Sequence, residues 1–205
     1  MLHRIWQTLL LCKPLLFLMA FTSAYAATPQ IVAHRGASHD APENTVPAVM
    51  LAWKKNADAT EVDIHMTRDH QIVVIHDSST KRTTDSNFKV AEVDYEQLTP
   101  LDAGKWKSET YAETPIPLLS EVLGKIPAGK RIFIEIKCPS SVLPYLQKVV
   151  ADSKLSSSQT VFIAFDWETI REAKKRFPEC KCFWLSGFKK DKITGEWNPK
   201  SDQGL

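Results

Sequence analysis

Several features that would assign this chain of 205 residues to a class are missing from its sequence. There is no CxxC pair for a cysteine-bound zinc, no internal repeat and no low-complexity segment. The apolar run at residues 15–21 is far too short to cross a bilayer as a helix. An excess of one charge is also missing, because 26 lysines and arginines stand against 24 acids. Nucleic-acid phosphates demand a basic surface, so the balance argues against nucleic acid as the main partner.

The first 26 residues contain no acid and have the character of a secretory signal peptide. Arg4 and Lys13 are basic, an apolar stretch follows, and the sequence AYA at residues 24–26 matches the small-x-small cleavage rule. Cleavage there removes two of the 26 basic residues and leaves 24 of each sign. We therefore predict an exported, periplasmic or secreted domain at 27–205 with no stable membrane insertion. An uncleaved anchor is the alternative.

Strand and helix signals alternate along the rest of the chain. Because repeated strand-helix units build parallel sheets covered on both faces, this alternation indicates an α/β fold. The segment 78–117 breaks the rhythm and is predicted to be an insertion at the rim of the sheet. Strands are predicted at 31–33, 61–66, 72–75, 131–137, 160–165 and 182–185, and helices at 45–56, 118–126, 141–151 and 168–177.

The predicted strand EVDIHM carries two acids on one side, which is unusual. Strand geometry points Glu61 and Asp63 the same way. If that side faces the interior, their charges have to be neutralised, and a divalent cation such as Mg²⁺ or Ca²⁺ suits hard carboxylate oxygens. Glu135 from a neighbouring strand is the candidate third ligand. The alternatives are a solvated strand face, or internal ion pairs with Arg35 and Lys137.

Two histidines and two cations also end predicted strands, and parallel α/β folds bind ligands at the carboxyl ends of their strands. His34 and His76 are candidates for a general base and a general acid, because imidazole titrates near neutrality. Arg35 and Lys137 are candidates for binding phosphate oxygens. His65 lies on the same side of its strand as the two acids, where a rim position without a role is expected.

Three cysteines remain after the predicted cleavage, namely Cys138, Cys180 and Cys182. We expect them to be thiols that bind no metal. Because export permits disulfides, a bridge from Cys138 to one of the other two is the alternative.

Several short motifs follow one another along the chain: HRG at 34–36, PENT at 42–45, EVD at 61–63, TRD at 67–69, HD at 76–77, RTT at 82–84, LDAG at 101–104 with Trp106, IPL at 116–118 and EIK at 135–137. Each motif is weak by itself, but an ordered set from about residue 31 to residue 185 is highly specific. In this order, the motifs resemble those of the glycerophosphodiester phosphodiesterase family.

The resemblance implies a TIM-type barrel with a small insertion. It also implies hydrolysis of small glycerophosphodiesters to glycerol 3-phosphate and an alcohol, by attack of a glycerol hydroxyl through a cyclic phosphate. The implied site has His34 and His76 as the acid–base pair, Glu61, Asp63 and Glu135 as ligands of Ca²⁺ or Mg²⁺, Arg35 and Lys137 as phosphate-binding residues, and Asn44 as a polar residue that orients the site.

Two departures from the family pattern are visible. The sequence DSNF at 85–88 replaces a glycine-bearing turn, and six barrel strands can be counted, near residues 32, 62, 74, 133, 162 and 183. Because a TIM barrel needs eight strands, we expect the last two strand-helix units to be lacking, with residues 194–197 and 201–204 in the loop before the next unit. The alternatives are therefore a truncated, non-catalytic barrel and a phosphodiesterase that acts on intact lipid head groups. A carboxylate-pair glycosidase is disfavoured because it leaves the histidines and Arg35 unused.

Overall fold

The computed structural model describes residues 29–199, so the predicted signal peptide lies outside the described residues. In this part of the chain, no helix combines the length and the apolar character that crossing a bilayer requires. The strands are β1 (Val32–Ala33), β2 (Ala59–Met66), β3 (Ile72–Val74), β4 (Arg131–Ile136), β5 (Thr160–Ala164), β6 (Lys181–Trp184), β7 (Phe188–Lys190) and β8 (Trp197–Pro199). The helices are α1 (Val46–Lys54), α2 (Tyr95–Leu98), α3 (Leu119–Leu123), α4 (Leu143–Asp152) and α5 (Trp167–Arg176), with 3₁₀ turns at Val90–Glu92, Glu109–Tyr111 and Ser140–Val142.

The main sheet has the order β1-β2-β4-β5-β6, and all neighbours along this path are parallel. Successive parallel strands are joined through helices, as in a TIM-type barrel. The α/β architecture predicted from the sequence is therefore confirmed. Because every strand of this path points the same way, the residues that follow β1, β2 and β4 meet at one edge of the sheet.

The prediction that the run at 72–75 supplies a barrel strand is wrong. β3 is antiparallel to β2, with Ile64 opposite Val74 and Met66 opposite Ile72. A hairpin needs only a short turn, whereas a parallel neighbour needs a crossover of a dozen residues or more. The turn at 67–71 is too short for such a crossover, so the described part of the chain contributes five parallel strands and one hairpin strand.

The main core lies between the sheet and its helices. Val62, Ile134 and Phe162 from three neighbouring strands are fully buried, and the Phe162 ring packs on Phe177 with centroids 4.3 Å apart. Cys138, Cys180 and Cys182 are free thiols in or against this core. Residues on both faces of β2 are buried, so its polar side does not face solvent although its sequence alternates between polar and apolar residues.

The segment 78–117 folds around a small apolar core of its own, which continues from β3. This core contains Val73, Val90, Leu98 and Ile116, all almost completely buried. The segment also reaches the loop after β1, because Lys107 Nζ donates to the carbonyl oxygen of Ser38 at 2.9 Å. The insertion thereby lies beside the edge of the sheet where the polar residues gather.

The far end of the described chain differs from the expected loop. β7 and β8 form an antiparallel hairpin, with Lys190 opposite Trp197. Residues 194–196 belong to the turn of this hairpin and Trp197 begins β8, so the loop predicted at 194–197 runs into a strand. The predicted loop residues 201–204 lie outside the described residues.

Candidate active site

The loop after β1 places Arg35 above β2. Arg35 and Gly36 both have left-handed backbones, with φ of 55° and 75°. A Cβ on Gly36 would lie 2.6 Å from the carbonyl carbon of Ala48, so only glycine fits against the start of α1. In this conformation the Arg35 backbone N–H donates to Glu61 Oε2 at 2.7 Å.

Asn44 holds Asp63 from the other side of the same loop. Its Nδ2 donates to Asp63 Oδ2 at 2.8 Å, and its Oδ1 accepts from the Asp63 backbone N–H at 3.0 Å. Asn44 has a φ of 60°, a left-handed value that asparagine tolerates better than most residues. The predicted orienting residue thus contacts one of the predicted metal ligands directly.

The three predicted metal ligands are brought together. Asp63 lies opposite Glu135 in the register of β2 and β4, and Glu61 is two residues earlier on β2. One oxygen from each carboxylate lies within 4.8 Å of the others. All three residues are buried, with Asp63 fully inaccessible, so the alternative of a solvated strand face is wrong.

The alternative of internal ion pairs holds in part. Arg35 Nε lies 3.3 Å from Asp63 Oδ2, and Lys137 Nζ lies 3.0 Å from Glu135 Oε1 and 3.6 Å from Asp63 Oδ1. These two cations do not satisfy the three acids. Glu61 Oε1 and Asp63 Oδ1 are buried without a hydrogen-bond partner. Burial, followed by the nearby Asp63 charge, raises the pKa of Glu61 to about 8.

The charge and the unpartnered oxygens together fit a divalent cation. When all three carboxylates are ionised, as metal ligands are, the two basic side chains leave one formal negative charge in excess, which buried sites avoid. Hard carboxylate oxygens at this spacing are the donors that Mg²⁺ and Ca²⁺ prefer. Glu61, Asp63 and Glu135 are therefore a candidate divalent-cation site.

The histidines occupy different environments. His34 is two-thirds exposed, and its Nε2 lies 3.9 Å from Glu61 Oε2. His76 is partly buried, and its Nδ1 donates to Asp77 Oδ1 at 2.6 Å. His65 is buried rather than on the rim, and its Nε2 bonds to the His76 carbonyl oxygen at 3.2 Å. Burial lowers the pKa of His65, so it supports the His76 backbone as a neutral ring.

Three further residues, Glu43, Asp77 and Arg82, join the site, and no role was predicted for them from the sequence. Arg82 Nη1 and Nη2 donate to the two Glu43 oxygens at 2.9 and 2.7 Å, and Arg82 Nε donates to Asp77 Oδ2 at 2.6 Å. Glu43 also accepts from Arg35 Nη1 at 3.0 Å. Glu43, Asp77 and Arg82 belong to the motifs PENT, HD and RTT. Their membership of these motifs was the signal in the sequence that could have identified them.

A cavity of about 530 Å³ opens beside the cluster, at the carboxyl ends of β4 and β5. Glu135 and Lys137 line it together with Cys138, Phe165 and Asp166. Burial raises the pKa of Cys138 to about 11, which makes this thiol a poor nucleophile. The cavity therefore offers space for a small molecule next to the carboxylates rather than a second reactive centre.

The chain is similar to several known proteins. The glycerophosphodiester phosphodiesterase of Caldanaerobacter subterraneus subsp. tengcongensis is 32% identical over 157 residues, which are 74% of this chain and 64% of that protein. Human glycerophosphodiester phosphodiesterase 1 is 36% identical over 109 residues, which are 52% of this chain and 33% of that protein.

Solved structures give the same picture. The structure of an Oleispira antarctica phosphodiesterase in complex with the product sn-glycerol-3-phosphate has a TM-score of 0.71 at 29% identity, over 74% of this chain and 64% of that one. A glycerophosphodiester phosphodiesterase from Agrobacterium tumefaciens str. C58 has a TM-score of 0.67 at 29% identity with the same coverage.

The chain thus spans between 33% and 64% of the length of these four relatives. A model of the glycerophosphoryl diester phosphodiesterase family matches residues 34–182. This span contains every residue of the site described above, from His34 to Lys137. The acidic cluster is built from the EVD and EIK motifs inside this span. Because the family model matches most of the chain, the chain belongs to the glycerophosphoryl diester phosphodiesterase family.

Proposed function

We propose that this protein hydrolyses glycerophosphodiesters to glycerol 3-phosphate and an alcohol in a reaction that depends on a divalent cation. One observation carries the proposal. The buried carboxylates of Glu61, Asp63 and Glu135 converge beside Arg35 and Lys137, with two carboxylate oxygens left unpartnered. The glycerol 3-phosphate bound by the Oleispira relative supports this choice of product.

Glu61, Asp63 and Glu135 would hold Mg²⁺ or Ca²⁺. When bound, the cation would supply positive charge to the phosphate oxygens of the substrate. Arg35 and Lys137 border the same carboxylates, so their positive groups face the place where a phosphate would lie. Arg35 offers a planar fork and Lys137 a point charge, and both stabilise negative charge that develops on phosphate oxygens.

His34 and His76 would move the protons. One imidazole accepts the proton of a glycerol hydroxyl as that oxygen forms its bond to phosphorus, and the other donates a proton to the alcohol oxygen as its bond to phosphorus breaks. Water then opens the resulting cyclic phosphate with the two roles reversed. Because His76 Nδ1 donates to Asp77, Nε2 is the atom of this ring that is left to exchange a proton.

The place of action follows from the amino-terminal sequence. We propose that residues 1–26 direct export and are removed, which places the enzyme in the periplasm or outside the cell. The acid-free composition and the AYA sequence at 24–26 support this assignment.

The test is hydrolysis of glycerophosphocholine by the purified chain. We expect glycerol 3-phosphate in the presence of Mg²⁺ or Ca²⁺, none after chelation, and recovery when the cation is restored. His34→Ala and His76→Ala should each lower kcat by at least ~100-fold, the usual contribution of a general acid or base.

His39→Ala is the matched control, because the His39 side chain is 97% exposed and bonds only to Asp40 among the described residues. This variant should keep the activity of the parent chain. Hydrolysis that is indifferent to chelation, or that survives loss of His34 and His76 as well as loss of His39, would refute the proposal.

A further inference from the structure

Three charged side chains near the site, Glu43, Asp77 and Arg82, take no direct part in the proposed proton transfers or phosphate binding. Arg82 contacts both carboxylates at once, through two bonds of 2.9 and 2.7 Å to Glu43 and one of 2.6 Å to Asp77. A planar guanidinium with five donors suits such a double contact, which the single ammonium of lysine does not reproduce. Arg82 is thus a bridge between two acids that lie 34 positions apart in sequence, from 43 to 77.

Each of the two acids holds one residue of the proposed machinery. Glu43 Oε1 accepts from Arg35 Nη1 at 3.0 Å, and Asp77 Oδ1 accepts from His76 Nδ1 at 2.6 Å. The remaining oxygen of Asp77 is taken by Arg82, and both Glu43 oxygens contact Arg82. The contacts therefore run without a break from Arg35 to His76.

The segment that carries Arg82 is itself fixed. Thr80 is fully buried, and its hydroxyl donates to the Ser86 carbonyl oxygen at 2.7 Å and accepts from the Phe88 backbone N–H at 3.0 Å. Thr84 Oγ1 donates to the Thr80 carbonyl oxygen at 3.0 Å. The sequence DSNF at 85–88, which departs from the family pattern, is closed by these threonine hydroxyls. Arg82 consequently extends from an ordered turn.

We propose that Arg82 is a positioning residue, which fixes the Arg35 guanidinium and the His76 imidazole relative to each other through Glu43 and Asp77. The inference rests on the proposed function for the roles of Arg35 and His76. Without Arg82, Glu43 keeps Arg35 as its cation and draws it away from Asp63. Asp77 also loses the contact that sets its orientation, so His76 is free to turn.

The experiment compares Arg82→Met with Arg68→Met in the purified chain. Arg68 is a matched control, because it donates to both Asp94 oxygens at 2.9 and 2.8 Å but contacts no residue of the proposed machinery. With glycerophosphocholine, Arg82→Met should lower kcat by ~100-fold, the cost of about 1 Å of misplacement, with a smaller change in KM. The kcat of Arg82→Lys should lie between those of the parent chain and Arg82→Met. Arg68→Met should leave kcat unchanged.

A second measurement does not depend on turnover. The ¹⁵N shifts of the His76 ring should show a single tautomer with the proton on Nδ1 in the parent chain and in Arg68→Met, and a mixture in Arg82→Met. Equal kcat in the two methionine variants would overturn the inference. If the parent chain does not hydrolyse glycerophosphocholine, the proposed function fails. The positioning role of Arg82 is then tested by the ¹⁵N shifts of the His76 ring alone. An unchanged His76 tautomer in both Arg82→Met and Arg82→Lys would then overturn the positioning role.

Discussion

Glu61 carries an electrostatic cost that can be measured. Burial is the largest cause of its raised pKa of about 8, and the charge of Asp63 is the second. A glutamate in an unfolded chain has a pKa near 4.3. The folded, metal-free chain therefore binds a proton near neutral pH that the unfolded chain has already released, so its stability must fall as the pH rises toward the folded pKa of about 8.

The free energy of unfolding of the metal-free chain should decrease as the pH rises from 6.5 to 8. The slope due to Glu61 is at most ~1.4 kcal/mol per pH unit, the value for one proton. The window starts at 6.5 because burial lowers the pKa of His65, and its titration at lower pH has the opposite sign. Denaturant titrations at several pH values, with a chelator present, measure the slope.

Glu61→Gln should flatten this dependence, because it removes the carboxyl that titrates. Glu96→Gln, a change at an exposed acid in α2, should leave the slope as it is in the parent chain. Equal slopes in all three proteins would show that Glu61 is not the group responsible.

Residue identities and motifs were readable from the sequence, but the partners of those residues were not. The strand pattern predicted correctly that Glu61 and Asp63 share a side, since that follows from a period of two. The pairing of Glu43 with Arg82 joins residues 39 positions apart, and no local pattern encodes such a contact. The burial of His65 was also not predicted. It depends on contacts with distant parts of the chain, which cover both faces of β2.

At the scale of elements, the junction of β1 with α1 determines the site. Arg35, Gly36 and Asn44 all have positive φ within this one connection, and the two non-glycine residues contact Asp63. Such conformations cost free energy and persist only when the surroundings enforce them. The tight packing of Gly36 on Ala48 is the enforcing contact.

Gly36→Ala should destabilise the fold by about 3 kcal/mol, the sum of a left-handed alanine and a crowded Cβ. Gly129→Ala is the matched control, because Gly129 has a φ of 76° but nothing lies within 4 Å of its would-be Cβ. It should cost only about 1 kcal/mol. Urea unfolding of both variants measures the difference, and equal losses would contradict the role given to the Gly36–Ala48 contact.

Element types were predictable, and their connections were not. Runs such as IVV in β3 and RIFIEI in β4 gave strands at the right places, because both are rich in isoleucine or valine, which are apolar and β-branched. The direction of β3 is set by the turn before it and by its pairing with β2. Treating every strand as a barrel strand therefore gave one too many.

At the scale of the whole molecule, the proposed site depends on a small part of the sheet. The three carboxylates come from β2 and β4, and Arg35 follows β1, so three adjacent strands carry the cation site. Phe165 and Asp166, which follow β5, contribute to the wall of the cavity. The acidic cluster is consequently complete within the described residues, although the chain spans only 64% of the length of the Caldanaerobacter relative.

Calorimetric titration of Mg²⁺ and of Ca²⁺ into the purified, chelator-treated chain tests this account most directly. We expect one cation per chain, an affinity at least ~100-fold lower in Asp63→Asn and Glu135→Gln, and no change in Asp152→Asn, whose carboxylate pairs with Lys148 on α4. A folded parent chain that binds neither cation, or that binds one as tightly after Asp63→Asn as before, would contradict the account.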